Sequence, residues 1–212
     1  MLKIYEIFYS IQGESSFAGE RCVFIRLTGC NLRCTYCDTE YAFYDGNKMS
    51  IDKIIEKVAS YNCNLVEITG GEPLLQSEVY PLMTKLCDSG YNVLLETSGS
   101  ISIKNVDKRV TNILDFKTPS SKMEKKNDFN NVEFLKSNDE IKFVIGSRED
   151  YDWAKDVVSK YRLDKKHVVL FSSVFGKIEH EKLVSWILED RLNIRYQLQM
   201  HKYIWDPEKT GV

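Results

Sequence analysis

The sequence predicts an α/β fold, a partial (β/α)6 barrel of mostly parallel strands with its reactive groups at the strand carboxyl ends. Three observations carry that expectation. Segments of strand period and segments of helix period alternate along the chain about six times, which implies a parallel sheet with crossover connections. The chain has 212 residues, fewer than the ~250 of a complete eight-unit barrel. Cysteines, hydroxyls, glycines and charged residues directly follow several of the predicted strands, where the loops of such folds converge.

Ile4 to Ser10 and Cys22 to Leu27 read as strands, joined by the polar Gln12, Gly13, Glu14 turn and the Gly19 region. Ser50 is placed to cap a helix whose Ile51, Ile54, Ile55, Val58 and Ala59 share one face. Leu65 to Thr69 is a short strand ending in Gly70, Gly71, Glu72 and Pro73. Leu75, Val79, Leu82, Met83 and Leu86 mark the next amphipathic helix, and Tyr91 to Glu96 the next strand. Val110 to Phe116 is strand-like, while Lys117 to Asn131 is polar and loop-like, with Pro119 and two serines. Ile141 to Ile145 is a strand. Trp153, Ala154, Val157, Val158 and Tyr161 lie on one helical face, followed by the β-rich His167 to Phe171. Leu183, Val184, Ile187 and Leu188 mark a final helix before Ile194 to Leu198. One domain, 1–212, is expected, with no sequence repeat and negligible low-complexity content.

Composition narrows the function. With 29 basic and 31 acidic residues the net charge is -2, so neither nucleic acid nor an anionic membrane is an expected partner. No stretch approaches the ~18 apolar residues of a membrane span, and the start lacks a signal-peptide pattern, so a cytoplasmic location is expected. Of the six cysteines, Cys22, Cys63 and Cys87 are scattered among apolar neighbours and read as core or near-core thiols rather than a disulfide framework.

The other three, Cys30, Cys34 and Cys37, are spaced CxxxCxxC, and Gly29 lets the loop curl so that the thiols converge. A soft metal suits them. Structural zinc wants four closed ligands, usually as two separated pairs, and no second CxxC or HxxxH follows. A four-iron cluster held by three thiolates keeps one iron open, and an open metal position suggests chemistry. A redox-sensing thiol group, or zinc completed by Asp38 or a distant His, are the other readings of these residues alone.

Tyr36 between the second and third cysteines, and Gly70 to Pro73 at a strand end, resemble the radical S-adenosylmethionine (SAM) superfamily. Its CxxxCx(aromatic)C loop binds the cluster, and its GGE-type segment contacts the amino group of SAM. Further blocks, namely Glu6 to Glu14, Phe24 to Arg26, Glu96 to Gly99, Lys117 to Lys122 and Gln199 to Lys202, extend the resemblance over nearly the whole chain. They are similar to the branch that converts 6-carboxy-5,6,7,8-tetrahydropterin to a carboxylated 7-deazaguanine with loss of ammonia. In that branch the amino-terminal strand and the carboxyl-terminal tail are additions to the radical SAM domain.

The resemblance implies a 4Fe-4S cluster on Cys30, Cys34 and Cys37, SAM, and Mg²⁺ at Thr39. For SAM it implicates Tyr36, Asp38, Gly71, Glu72, Gly99, Asp115, Phe116, Lys117 and Ser172, with the Glu72 carboxylate accepting from the ammonium group. For the substrate it implicates Ile11, Gln12, Gly13, Glu14, Arg26, Thr97, His201 and Val212, Arg26 forking onto the substrate carboxylate. It also implies a small-molecule pterin substrate, an electron donor such as flavodoxin, and a homodimer. Two departures stand out: branch members often read Ser-Pro-Lys where this chain has Asp115, Phe116 and Lys117, and Phe171 to Val174 matches its counterpart only loosely. The tail from Trp205 to Val212 is expected either to fold over the substrate pocket or to fray. A radical SAM activase acting on a partner protein shares the cysteine loop and the small barrel. An iron-sulfur carrier or zinc module is the non-enzymatic alternative and would want a fourth Cys or His ligand.

Overall fold

The computed structural model describes all 212 residues. Nine strands form one sheet in the order β3-β1-β2-β4-β5-β6-β7-β8-β9. β1 (Leu2–Ile11) runs antiparallel to β2 (Arg21–Leu27) and to the short edge strand β3 (Asn47–Met49). From β2 onward the sheet is parallel, through β4 (Leu65–Gly70), β5 (Asn92–Thr97), β6 (Thr111–Phe116), β7 (Glu140–Ile145), β8 (Val168–Ser173) and β9 (Arg195–Gln197). The partial barrel predicted from the alternating periods is therefore the fold observed. β3 had no sequence signal, because a three-residue edge strand with one apolar side chain, Met49, shows no alternation.

Four crossovers carry helices: α1 (Ile51–Ala59), α2 (Val79–Asp88), α3 (Arg148–Tyr161) and α4 (His180–Glu189). Ser50 caps α1 as expected, accepting from the Lys53 amide at 3.4 Å. Ile54 and Val58 of α1 are fully buried, whereas Ala59 at the edge of the predicted face is exposed. α2 starts later than its apolar pattern suggests, since Leu75 belongs to a 3-10 turn behind Pro73 and is 46% exposed. The β5 to β6 connection has no helix, and the β6 to β7 connection has only 3-10 turns. A last short helix, α5 (His201–Ile204), follows the last predicted strand, in a stretch where no helix was expected.

Side chains alternate between two faces along every strand. Val23, Ile25 and Leu27 on β2, Val66 and Ile68 on β4, Ile141, Phe143 and Ile145 on β7 point outward and are buried under the helices. The residues between them point inward. Phe24, Arg26, Glu67, Thr69, Glu96, Asp115 and Lys142 line a cavity that the curved sheet encloses. The loop between β1 and β2 crosses the open side of that curve: the Ser15 amide donates to Gln197 Oε1 at 2.7 Å and the Ser16 amide to Glu140 Oε2 at 3.0 Å.

The carboxyl ends of β6 and β7 are locked by Asp150, which is fully buried. Its carboxylate accepts from the Ser120 amide at 2.7 Å and the Gly146 amide at 2.8 Å. The turn it holds in turn grips the cysteine loop, since the Thr35 amide donates to the Ser121 carbonyl at 3.2 Å. Replacing Asp150 by Ala leaves two part-buried amide donors unpaired and empties a buried side-chain site, and a loss of ~2 kcal/mol in stability is expected from a urea unfolding curve.

Candidate active site

A cavity of about 650 Å³ opens at the carboxyl ends of the strands. The cysteine loop forms one wall. Cys30, Cys34 and Cys37 are all half-buried on it, each as a free thiol. Burial pushes the Cys30 thiol up and the Cys34 thiol up to about 11, with the Lys117 ammonium opposing both. Tyr36 lies on the same wall, its hydroxyl 3.2 Å from Thr118 Oγ1 and its ionisation pushed up to about 12 by burial. The loop is seated against the strand ends by close backbone packing: a Cβ on Gly71 would come within 2.2 Å of the Gly29 carbonyl oxygen.

Opposite the thiols, Asp115 and Lys117 reach in from β6 and the loop after it. Lys117 Nζ is 2.8 Å from Asp115 Oδ2. Burial alone would lower that ammonium, but Asp115, Cys34 and Tyr36 hold it above its ordinary value. The second Asp115 oxygen, Oδ1, is buried without a partner, an acceptor for a hydroxyl or amino group of a ligand. Phe116, next in the strand, necessarily faces the other way and is fully buried against Phe129 and Phe143.

The other end of the cavity is built from the turn after β1. Ile11, Gln12, Gly13 and Glu14 all line it. Gln12 Nε2 donates to the Glu67 carboxylate, and Gln12 Oε1 accepts from the Glu14 amide at 2.9 Å. Gly13 touches His201, because a Cβ there would lie 2.3 Å from His201 Nδ1. Arg26 donates through Nε to Glu6 at 2.8 Å, and its guanidinium lies 5.6 Å from the Phe8 ring and 5.7 Å from the Tyr41 ring. Thr39 lines the cavity with its hydroxyl 3.7 Å from Cys37 Sγ. Asp38 is held by Lys202 at 2.8 Å, an ion pair that outweighs burial and keeps the carboxyl below its ordinary range. The tail residues from Pro207 to Val212 form part of the cavity wall, so the tail covers the pocket.

Four sequence-predicted residues are not on that wall. Glu72 is fully buried and spends its carboxylate on the protein, accepting from the Leu74 and Ser98 amides and the Thr97 and Ser98 hydroxyls. The expected contact with a ligand ammonium is not what these oxygens make in this structure, where the protein engages them and the backbone of Gly70 and Gly71 lines the cavity. Gly99 is a turn glycine behind Thr97 and Ser98, where a Cβ would press on Phe116 at 3.0 Å. Phe116 is a core ring, and Ser172 is 1% exposed with its hydroxyl unpartnered. On the inner face of the strands the wall also holds three charged residues not expected there from the sequence, Glu67, Glu96 and Lys142. Each was detectable as a lone charge at an alternate position inside an otherwise apolar strand.

The donor set can be tested against a metal group directly. No three His, Cys, Asp or Glu side chains converge closely enough for a single ion, as closed zinc requires. Three thiols on one cavity wall, with no fourth Cys or His beside them, are the donor set of a multi-iron cluster with an open position. The comparison with known proteins gives the same answer. A family model described as the radical SAM superfamily matches residues 24–184. A 7-carboxy-7-deazaguanine synthase of Chlorobaculum tepidum is 47% identical over 214 residues, covering 100% of this chain and 97% of that one. The chain belongs to the 7-carboxy-7-deazaguanine synthase family. A second family member, from Koribacter versatilis, is 45% identical with 100% of both chains covered. The crystal structure of QueE from Escherichia coli superposes with a TM-score of 0.77 over 94% of each chain at 21% identity, a likeness of fold. As a 7-carboxy-7-deazaguanine synthase family member, the protein is a radical SAM lyase that uses a 4Fe-4S cluster and SAM. No helix is long and apolar enough to cross a membrane.

Proposed function

We propose that this cavity converts 6-carboxy-5,6,7,8-tetrahydropterin to 7-carboxy-7-deazaguanine and ammonia, with Mg²⁺ at Thr39. One observation carries the reading. The cysteine loop, the Gln12 to Glu14 turn, Arg26 and His201 come from separate parts of the chain yet share one wall-to-wall cavity. When bound, the cluster and SAM supply the one-electron chemistry that removes a hydrogen atom from the substrate.

The protein's own residues bind, orient and shield. Cys30, Cys34 and Cys37 would hold the cluster, and Tyr36, Gly71, Asp115 and Lys117 would hold SAM beside it. Arg26, with only its Nε engaged by a protein acceptor, offers its two terminal nitrogens to the substrate carboxylate in a planar fork. Thr39 Oγ1 on the cavity wall would offer one oxygen to Mg²⁺. Gln12, Gly13, Glu14, Thr97 and His201 surround the bicyclic ring. The tail closes over them, which excludes water and favours a small molecule over a loop of a partner protein. The reading brings with it a single functional unit over 1–212, a one-electron donor such as flavodoxin, a homodimer and a cytoplasmic location.

The test is anaerobic reconstitution with iron and sulfide, then incubation with SAM, dithionite and carboxytetrahydropterin. A deazaguanine product that depends on Mg²⁺ is expected by mass spectrometry, and Thr39→Ala should raise the Mg²⁺ concentration needed for half-maximal rate. Turnover of SAM without any deazaguanine would overturn the reading.

A further inference from the structure

Capture of the substrate carboxylate and of SAM leaves one prominent feature of the cavity without a task. Lys142 sits in the middle of β7, between the outward-facing Ile141 and Phe143, and is 4% exposed. Its ammonium pairs with Glu14 from the turn after β1, reaches Glu96 Oε1 of β5 at 2.8 Å, and lies 3.9 Å from Asp115 Oδ2 of β6. Glu67 of β4, 2% exposed, adjoins the same group and holds the Gln12 amide. Such a buried ionic cluster does little for stability, because desolvating the charges offsets their attraction. Its location, on the cavity wall and paired with Glu14 of the turn after β1, points to the substrate.

On the reading given above, we propose that Lys142 is a positioning residue of the pterin reaction: it gathers Glu14 of the turn after β1 and Glu96 of β5 into one fixed acidic floor facing the substrate's ring nitrogens. Neither carboxylate keeps that arrangement by itself. Glu14 is tied otherwise only by Gln199 Nε2 at 2.9 Å. Burial raises Glu14, Glu67 and Glu96, and Lys142 opposes it at each. For Glu14, Lys142 and His201 prevail and the carboxyl stays below its ordinary range. Glu96 lies above its range even with Lys142 beside it, and Glu67, next to Glu96 and Glu14, lies well above. The titratable groups that act on this floor are Glu14, Glu67, Glu96, Asp115, Asp38 and His201, with Lys117 beyond Asp115. Removing the cation leaves acids facing one another, so Glu14 and Glu96 take up protons at higher pH.

The experiment compares reconstituted wild type with Lys142→Met, which keeps the stem length without the charge, and with Lys142→Arg. For Lys142→Met, kcat/KM for carboxytetrahydropterin should fall about a hundredfold or more, and the acid limb of its pH profile should move up by about one unit. Cleavage of SAM without substrate should change by no more than about threefold. Lys142→Arg should return the acid limb to within about 0.3 units of wild type. Should Lys142→Met fail to fold by circular dichroism, Lys142→Met combined with Glu67→Gln removes one acid with the cation and carries the same test. An acid limb unmoved by loss of the charge, or an equal loss in substrate-free SAM cleavage, overturns the proposal. Wild type that forms no deazaguanine at any pH sinks instead the reading on which it rests.

Discussion

Cys34→Ala is expected to lose its iron-sulfur cluster and to form product at least about a thousandfold more slowly than wild type. The thiol has no competing role. Cys34 is half-buried on the cavity wall, and its thiol makes no hydrogen bond. With three cysteines for four irons, each thiolate is the only protein ligand its iron has, so a single deletion breaks the set. The apoprotein should still fold, because the loop is pinned by its backbone: the Gly29 amide donates to the Ala42 carbonyl at 2.9 Å and the Glu72 amide to the Gly29 carbonyl at 2.8 Å. Iron and sulfide analysis, absorbance and circular dichroism together separate the two effects. Cys22→Ala provides the contrast. Cys22 is fully buried in the core, and burial pushes its thiol far above the ordinary range. That variant should lose a little stability and keep its full iron content; iron loss there, or retention in Cys34→Ala, would contradict the assignment of ligands.

Arg26→Lys keeps the positive charge beside Glu6 and is expected to fold, but its kcat/KM for carboxytetrahydropterin should drop about a hundredfold. A lysine cannot present two parallel donors to a carboxylate, and it cannot lie as a plate between the Phe8 and Tyr41 rings. Cleavage of SAM in the absence of substrate should stay within about threefold of wild type. Equal losses in both reactions would mean that Arg26 braces the fold through Glu6 rather than meeting the substrate. The two predictions therefore divide the cavity, Cys34 testing the cofactor end and Arg26 the substrate end.

The same division describes how much of the molecule was legible without coordinates. Whatever depends on neighbours in the chain could be read directly. The CxxxCxxC spacing with Gly29 dictates a thiol-bearing loop. The helical face of Ile54 and Val58 behind the Ser50 cap, and the apolar runs of β4 to β8, follow from periodicity and capping. Tertiary structure decided what depends on residues distant in the chain. Strand alternation places Glu67, Glu96 and Lys142 on one inner face, but only the curvature of the sheet brings them together with Glu14 and Asp115. Glu72 stands in a motif that promises a ligand contact, yet Thr97 and Ser98 of the next strand occupy its carboxylate. The tail carried no periodic signal that separates a lid from a frayed end; the Lys202 to Asp38 ion pair and the contact of Gly13 with His201 set it over the pocket. Spacing and periodicity act over a few residues, so they specify loops and faces. Which polar groups finally meet is set by packing across strands, and that is where the floor of this site was decided.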